Sequence, residues 1–188
     1  HSFAVAAAFK ACGVDADVIP ESDGETLNWG RKLTTGKECY PCIVTTGDMV
    51  KLVKDPNFDH ERAAFFMPTG NGPCRFGQYH RFHRLVLDDL GFEHVPIYAP
   101  NQDETLYRDL GILSSRFTRL GWQGIVAVDL LMKKLLETRP YEKGKGHTDR
   151  VYRESLNNVC TAILEGEDLE EVLSESIRAF EQVEVKDL

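Results

Sequence analysis

The feature that most constrains this chain is a change of rhythm at about Pro100. Before it, short apolar runs alternate with segments of helical period; after it, only the helical period remains. Ala63 to Met67 and Val95 to Tyr98 read as strands, and Asp17-Val18-Ile19-Pro20 as another short buried one. Between and around them lie helix patterns. Phe3 to Cys12 is closed by Gly13, Glu25 to Leu33 leads into a Gly-containing loop, and Phe82 to Leu90 is ended by Gly91. Ile43 to Val53 reads as a helix whose first turn is the Cys-rich stretch itself.

Strand, loop and helix in that succession predict parallel strands, because a parallel pair needs a crossover and a helix supplies it. The expected fold is therefore α/β, a Rossmann-like, doubly wound parallel sheet over residues 1–100, with ligands at the carboxyl ends of its strands. Residues 101–188 are expected to form a mainly helical extension on the same core. Phe117 to Leu136 is long and apolar and stops at Pro140, and His147 to Leu164 repeats the period. Asp168 with Glu171 three residues on is a capping signature for a last helix.

Charge narrows the function classes. The chain of 188 residues carries a net charge of −8, and nine acidic residues lie between Glu165 and Leu188 against Arg178 and Lys186 alone. The acidity belongs to the tail, which reads as a solvated helix face, and the remainder is close to neutral. Nucleic-acid binding, which needs a basic face, has little support. No apolar run approaches the roughly 20 residues that span a bilayer, so no membrane role is expected. The start lacks an initiator Met and enters a helix at once, as a fragment of a longer chain would. Five Cys at irregular spacings, with no secretory signal, point to a reducing, cytoplasmic compartment and to thiols or metal rather than disulfides.

The cysteines are not equivalent. Cys12 and Cys160 fall in phase with apolar neighbours and read as small hydrophobes of the core. Cys39-Tyr40-Pro41-Cys42 places two thiols in one tight turn, flanked by Gly36, Lys37 and Gly47 rather than by core residues. Cys74 follows Gly70-Asn71-Gly72-Pro73 at a strand end and opens a helix. A thiolate at a helix N-terminus is stabilised by free N–H groups, and Lys37 and Arg75 add positive charge. Metal, a thiol redox pair and unligated thiols all remain open on these residues. A redox pair wants a strand directly before the dithiol, and Gly30 to Glu38 is a poor one. Structural zinc wants four ligands. An iron–sulfur cluster on Cys39, Cys42 and Cys74 fits best.

Three other patterns fail on inspection. Gly70-Asn71-Gly72 lacks the third glycine of a dinucleotide loop, since position 75 is Arg75. A phosphatase-like loop after Cys74 needs Arg six residues on, where His80 stands. His80 and His83, with Arg81 and Arg84 interleaved, read as a wet basic helix face.

Taken together, Gly36-Lys37-Glu38-Cys39-Tyr40-Pro41-Cys42-Ile43-Val44-Thr45-Thr46-Gly47-Asp48, then Phe65-Phe66-Met67-Pro68 and Gly72-Pro73-Cys74-Arg75-Phe76-Gly77-Gln78-Tyr79, resemble a known group. Most of the chain, including Thr138-Arg139-Pro140-Tyr141-Glu142, looks like the 2-hydroxyacyl-CoA dehydratase and activase-related family, in particular a segment of the large activators of (R)-2-hydroxyglutaryl-CoA dehydratase. The resemblance implies an anaerobic metabolism and a [4Fe-4S] cluster ligated by Cys39, Cys42 and Cys74. It also implies a low-potential electron delivered by an ATP-dependent activase domain or subunit, with a CoA thioester as a further partner. No ATP-binding segment of the activase type is present, so the expectation stops at an iron–sulfur electron-transfer component, not a complete enzyme. The alternative is a cluster-free thiol redox or interaction domain using Cys39 and Cys42.

Overall fold

The computed structural model describes residues 1–102 and 115–186. They form mainly helix: α1 (Ser2–Ala11), α2 (Gly24–Leu33), α3 (Tyr40–Val53), α4 (Tyr79–Asp89), α5 (Ser115–Thr138), α6 (His147–Glu165) and α7 (Leu169–Glu181). Two strands, β1 (Phe65–Phe66) and β2 (Ile97–Tyr98), and 3-10 turns at Arg75–Gln78 and Arg139–Tyr141 complete the order. None of the described helices is long and apolar enough to cross a membrane.

This overturns the doubly wound α/β expectation. The sheet has two parallel strands, with Phe65 opposite Ile97 and Phe66 opposite Tyr98, extended only by a bridge from Thr69 to Asn101. The physical reason lies in the prolines. Pro96 and Pro100 bracket β2 and have no N–H to give β1, so the ladder loses a rung at each end, although the N–H groups of Met67 and Thr69 still reach the Tyr98 and Pro100 carbonyls at 2.9 Å. Asp17 to Pro20 forms no strand either: the Val18 N–H goes to the Asp17 carboxylate 2.9 Å away, and Pro20 has none to give.

The chain divides into two compact units, Ile19–Leu110 and His1–Val18 with Gly111–Leu188. In the first, α2 and α3 lie in close contact because two glycines leave room. A Cβ at Gly30 would run into the Ile43 carbonyl, and one at Gly47 into the Thr26 carbonyl. Asp23 starts α2 with a reciprocal capping box to Thr26. Met49 and Val53 of α3, Phe65, Met67, Leu87 of α4 and Val95 then bury around Cys42 and Tyr79.

In the second unit α1 packs on α5 and α6, so the first helix belongs with the last ones. Small residues permit the crossing: Ala4, Ala7 and Ala8 are buried on α1, and Gly124 of α5 faces Ala4 and Ile163. Phe9 and Phe117 meet with ring centroids 4.4 Å apart. Asp168 accepts from the N–H groups of Glu170 and Glu171 at the start of α7, as its spacing predicts. The Glu142 carboxylate accepts from the N–H groups of Gly146 and Thr148 and from the Thr148 hydroxyl, filling the start of α6.

Candidate thiol site

The head of α3 is built by Cys39 and Pro41. Cys39 is the N-cap residue in an extended conformation, and Pro41 lies in the first turn, where a missing N–H costs nothing. The Cys39 side chain makes no capping bond to the helix. Its sulfur instead lies 2.6 Å from the Tyr79 hydroxyl, at the start of α4. Tyr79 holds the Cys39 thiol below the ordinary thiol range, assisted by the Cys42 N–H and the Arg75 charge against a contrary effect of burial. Burial in turn pushes up the Tyr79 phenol, and the neighbouring sulfur atoms add to it.

Cys42, one turn into α3, is buried. This corrects the expectation that core residues do not surround the Cys39 and Cys42 turn: Met49, Phe65, Tyr79 and Leu87 share its cluster. Burial raises its thiol above the ordinary value. The two thiols of one turn are thus separated in character, an acidic outer one and a resistant inner one.

Cys74 is exposed and is the N-cap residue of the Arg75–Gln78 turn that leads into α4. That turn is tied to the head of α3 at both ends. Arg75 donates to the Lys37 carbonyl at 2.7 Å, two residues before Cys39, and Tyr79 reaches Cys39 itself. Gly77 allows the loop to close, since a Cβ there would strike the Gly70 carbonyl. Cys12 and Cys160 are half-buried rather than buried, and Cys160 lines an open groove of about 200 Å³ between α1 and α6.

Sequence reasoning missed the face of α4 that meets the thiols. His83 is 1% exposed, not part of a wet basic face. Its Nε2 is 3.1 Å from the Thr45 hydroxyl on α3. That hydroxyl also lies 2.9 Å from the Pro41 carbonyl. The His83 Nδ1 is buried and has no hydrogen-bond partner among the described residues. Burial, with a smaller push from His80, lowers the His83 imidazole to about 4. The signal was available: Tyr79, His83, Val86 and Leu87 share one helical phase.

No family model matches the chain, and no curated protein or solved structure does. Among the described residues, no three His, Cys, Asp or Glu side chains are grouped to hold a metal ion. Thiolates sharing one tetrahedral ion must lie within about 4 Å of one another, given metal–sulfur bonds of about 2.3 Å. An iron–sulfur cluster relaxes that demand, because each thiolate takes its own iron. Cys39, Cys42 and Cys74 are not gathered into such a metal-holding group.

Proposed function

We propose that the Ile19–Leu110 unit carries an iron–sulfur electron-transfer site held by Cys39, Cys42 and Cys74. The observation that supports it most is the double tether, Arg75 to Lys37 and Tyr79 to Cys39, which keeps the Cys74 turn against the Cys39 and Cys42 turn. A bound cluster of the [4Fe-4S] class supplies one-electron chemistry at low potential. The chain's own part is to present sulfur at two N-cap positions, with the Tyr79 hydroxyl and the Arg75 charge beside Cys39 to offset negative charge. On this reading the chain is a cytoplasmic component that takes electrons from an ATP-dependent activase and serves acyl-CoA dehydration of the kind its motifs resemble.

Anaerobic reconstitution with iron and sulfide should give broad absorbance near ~400 nm and an EPR signal on reduction. Cys74→Ser should abolish both, and Cys160→Ser neither. Iron uptake unchanged by Cys74→Ser would overturn the ligand set.

A second reading, a cluster-free dithiol, is favoured by the contrast between the acidic Cys39 and the buried Cys42, a division of roles that thiol exchange uses. It predicts a two-electron transition in the absence of iron, insensitive to Cys74→Ser.

A further inference from the structure

Tyr79 is 6% exposed, and the only hydrogen-bond partner of its hydroxyl among the described contacts is the Cys39 sulfur at 2.6 Å. A buried hydroxyl needs a partner, and a phenol is a far better donor than a thiol, while the thiol is the more acidic of the two. The phenol therefore donates and the sulfur accepts. The ring makes edge contacts with Phe76, centroids 5.5 Å apart, and with His83 at 6.1 Å. His83, one turn further along α4, is itself fixed to Thr45 of α3. One face of α4 thus grips the first turns of α3 at two points, and the hydroxyl is aimed at Cys39 before any ligand or oxidant arrives.

A sulfur that carries charge, as thiolate or as metal ligand, accepts such a bond well; a disulfide sulfur accepts it poorly. We infer that Tyr79 is a positioning residue that stabilises Cys39 in its reduced or ligated form against disulfide formation. The inference rests on the reading of Cys39 as the working sulfur and not on the cluster itself.

The test uses the full metal-free chain in buffers of oxidised and reduced glutathione. Cys39 thiol and glutathione disulfide give the Cys39 mixed disulfide and one glutathione; Cys42 then displaces the second glutathione, leaving a Cys39–Cys42 disulfide. Mass spectrometry reads the fraction of Cys39 oxidised, whichever partner it holds. Tyr79→Phe, which keeps the ring, should shift the balance about tenfold toward oxidation, the size of one hydrogen bond to a charged group. For this two-electron couple that is a midpoint about 30 mV more negative. Tyr152→Phe, in the other unit, should shift nothing. An unchanged balance in a folded Tyr79→Phe chain overturns the inference.

Should Tyr79→Phe fail to fold, the unaltered chain decides. Oxidising Cys39 removes the phenol's acceptor and should give a tyrosine difference spectrum in the near ultraviolet, whereas a flat difference spectrum sinks the proposal. Failure of the cluster reading looks different: the wild-type chain takes up no iron, while the Tyr79→Phe shift in glutathione persists.

Discussion

The two units begin their helices with different chemistry. In His1–Val18 with Gly111–Leu188, carboxylates fill two of the starts, Glu142 at α6 and Asp168 at α7, while α1 opens on His1 with no side-chain cap. In Ile19–Leu110, Asp23 does the same for α2, but α3 and the Arg75–Gln78 turn open on Cys39 and Cys74, whose side chains make no capping bond. At α3 the Cys42 N–H goes to the Cys39 carbonyl at 2.9 Å and Pro41 has no N–H, so it is the Tyr79 hydroxyl that meets the Cys39 sulfur. The difference separates starts closed by a carboxylate from starts that carry sulfur. In the thiol unit close helix packing and a buried polar contact stand beside the one cap at Asp23.

The largest effect should come from that packing. Gly47→Ala places a methyl group against the Thr26 carbonyl, a backbone atom that no side-chain rotation removes. Overpacking of that kind costs about 3 kcal/mol, and the melt of the thiol unit should fall accordingly. Gly124→Ala in the other unit meets the Ala4 Cβ and the Ile163 Cδ1, both at 2.9 Å, with the Ala4 carbonyl further off at 3.7 Å. The Ile163 end can rotate, the Ala4 Cβ moves only with its backbone, and the helix gains from losing glycine, so the cost there should be smaller, about 1–2 kcal/mol. Equal losses at the two positions in chemical denaturation would erase the proposed contrast in packing.

Acid should also separate the units. His83, lowered to about 4 in the folded chain, takes up a proton near its ordinary value of about 6.5 when unfolded. The unfolded state therefore binds protons first as pH falls. The His83 contribution is complete above about pH 6.5 and is lost between there and about pH 4, a change of about 3 kcal/mol. Glu142 works in the other direction of charge. Its carboxyl is lowered to about 2, by the Thr148 and Gly146 N–H groups first, so its contribution is complete above the ordinary carboxylate range and is lost only as pH falls toward 2. The chain has two Trp, Trp29 on α2 and Trp122 on α5, one for each unit. In single-Trp chains, the Trp29 signal should weaken against denaturant from pH 6.5 to 4 while the Trp122 signal holds. Loss of this acid step in His83→Gln would assign it; its persistence would place it elsewhere.

How far the sequence reaches follows the range of the interactions. The heads of α3 and of the Cys74 turn, the ends at Gly13 and Gly91 and the cap at Asp168 were legible because each is decided within a few residues. The sheet was not, because alternation of strand-like and helix-like runs carries no account of ladder length, and Pro96 and Pro100, without N–H groups, break the ladder on either side of β2. Burial of Cys42 was legible in principle, in phase with Thr46, Met49 and Val53, but its closeness to a turn of glycines hid it. The Tyr79 contact with Cys39 spans 40 positions and depends on how α4 lies against α3, which no local pattern contains.

The smallest effect in stability gives the sharpest separation of roles. Asp168→Ala removes an acceptor from the start of α7 and should cost about 1 kcal/mol, with no effect on iron uptake or thiol exchange. Cys39→Ser replaces a sulfur that does not cap by one of the preferred N-cap residues, so the melting midpoint should hold or rise while iron uptake and exchange at this position disappear. A pronounced fall in the midpoint of Cys39→Ser would mean that the sulfur is held for the fold. The Tyr79 contact would then be a packing device, and the division between caps that fold and caps that work would fail at the residue on which it chiefly depends.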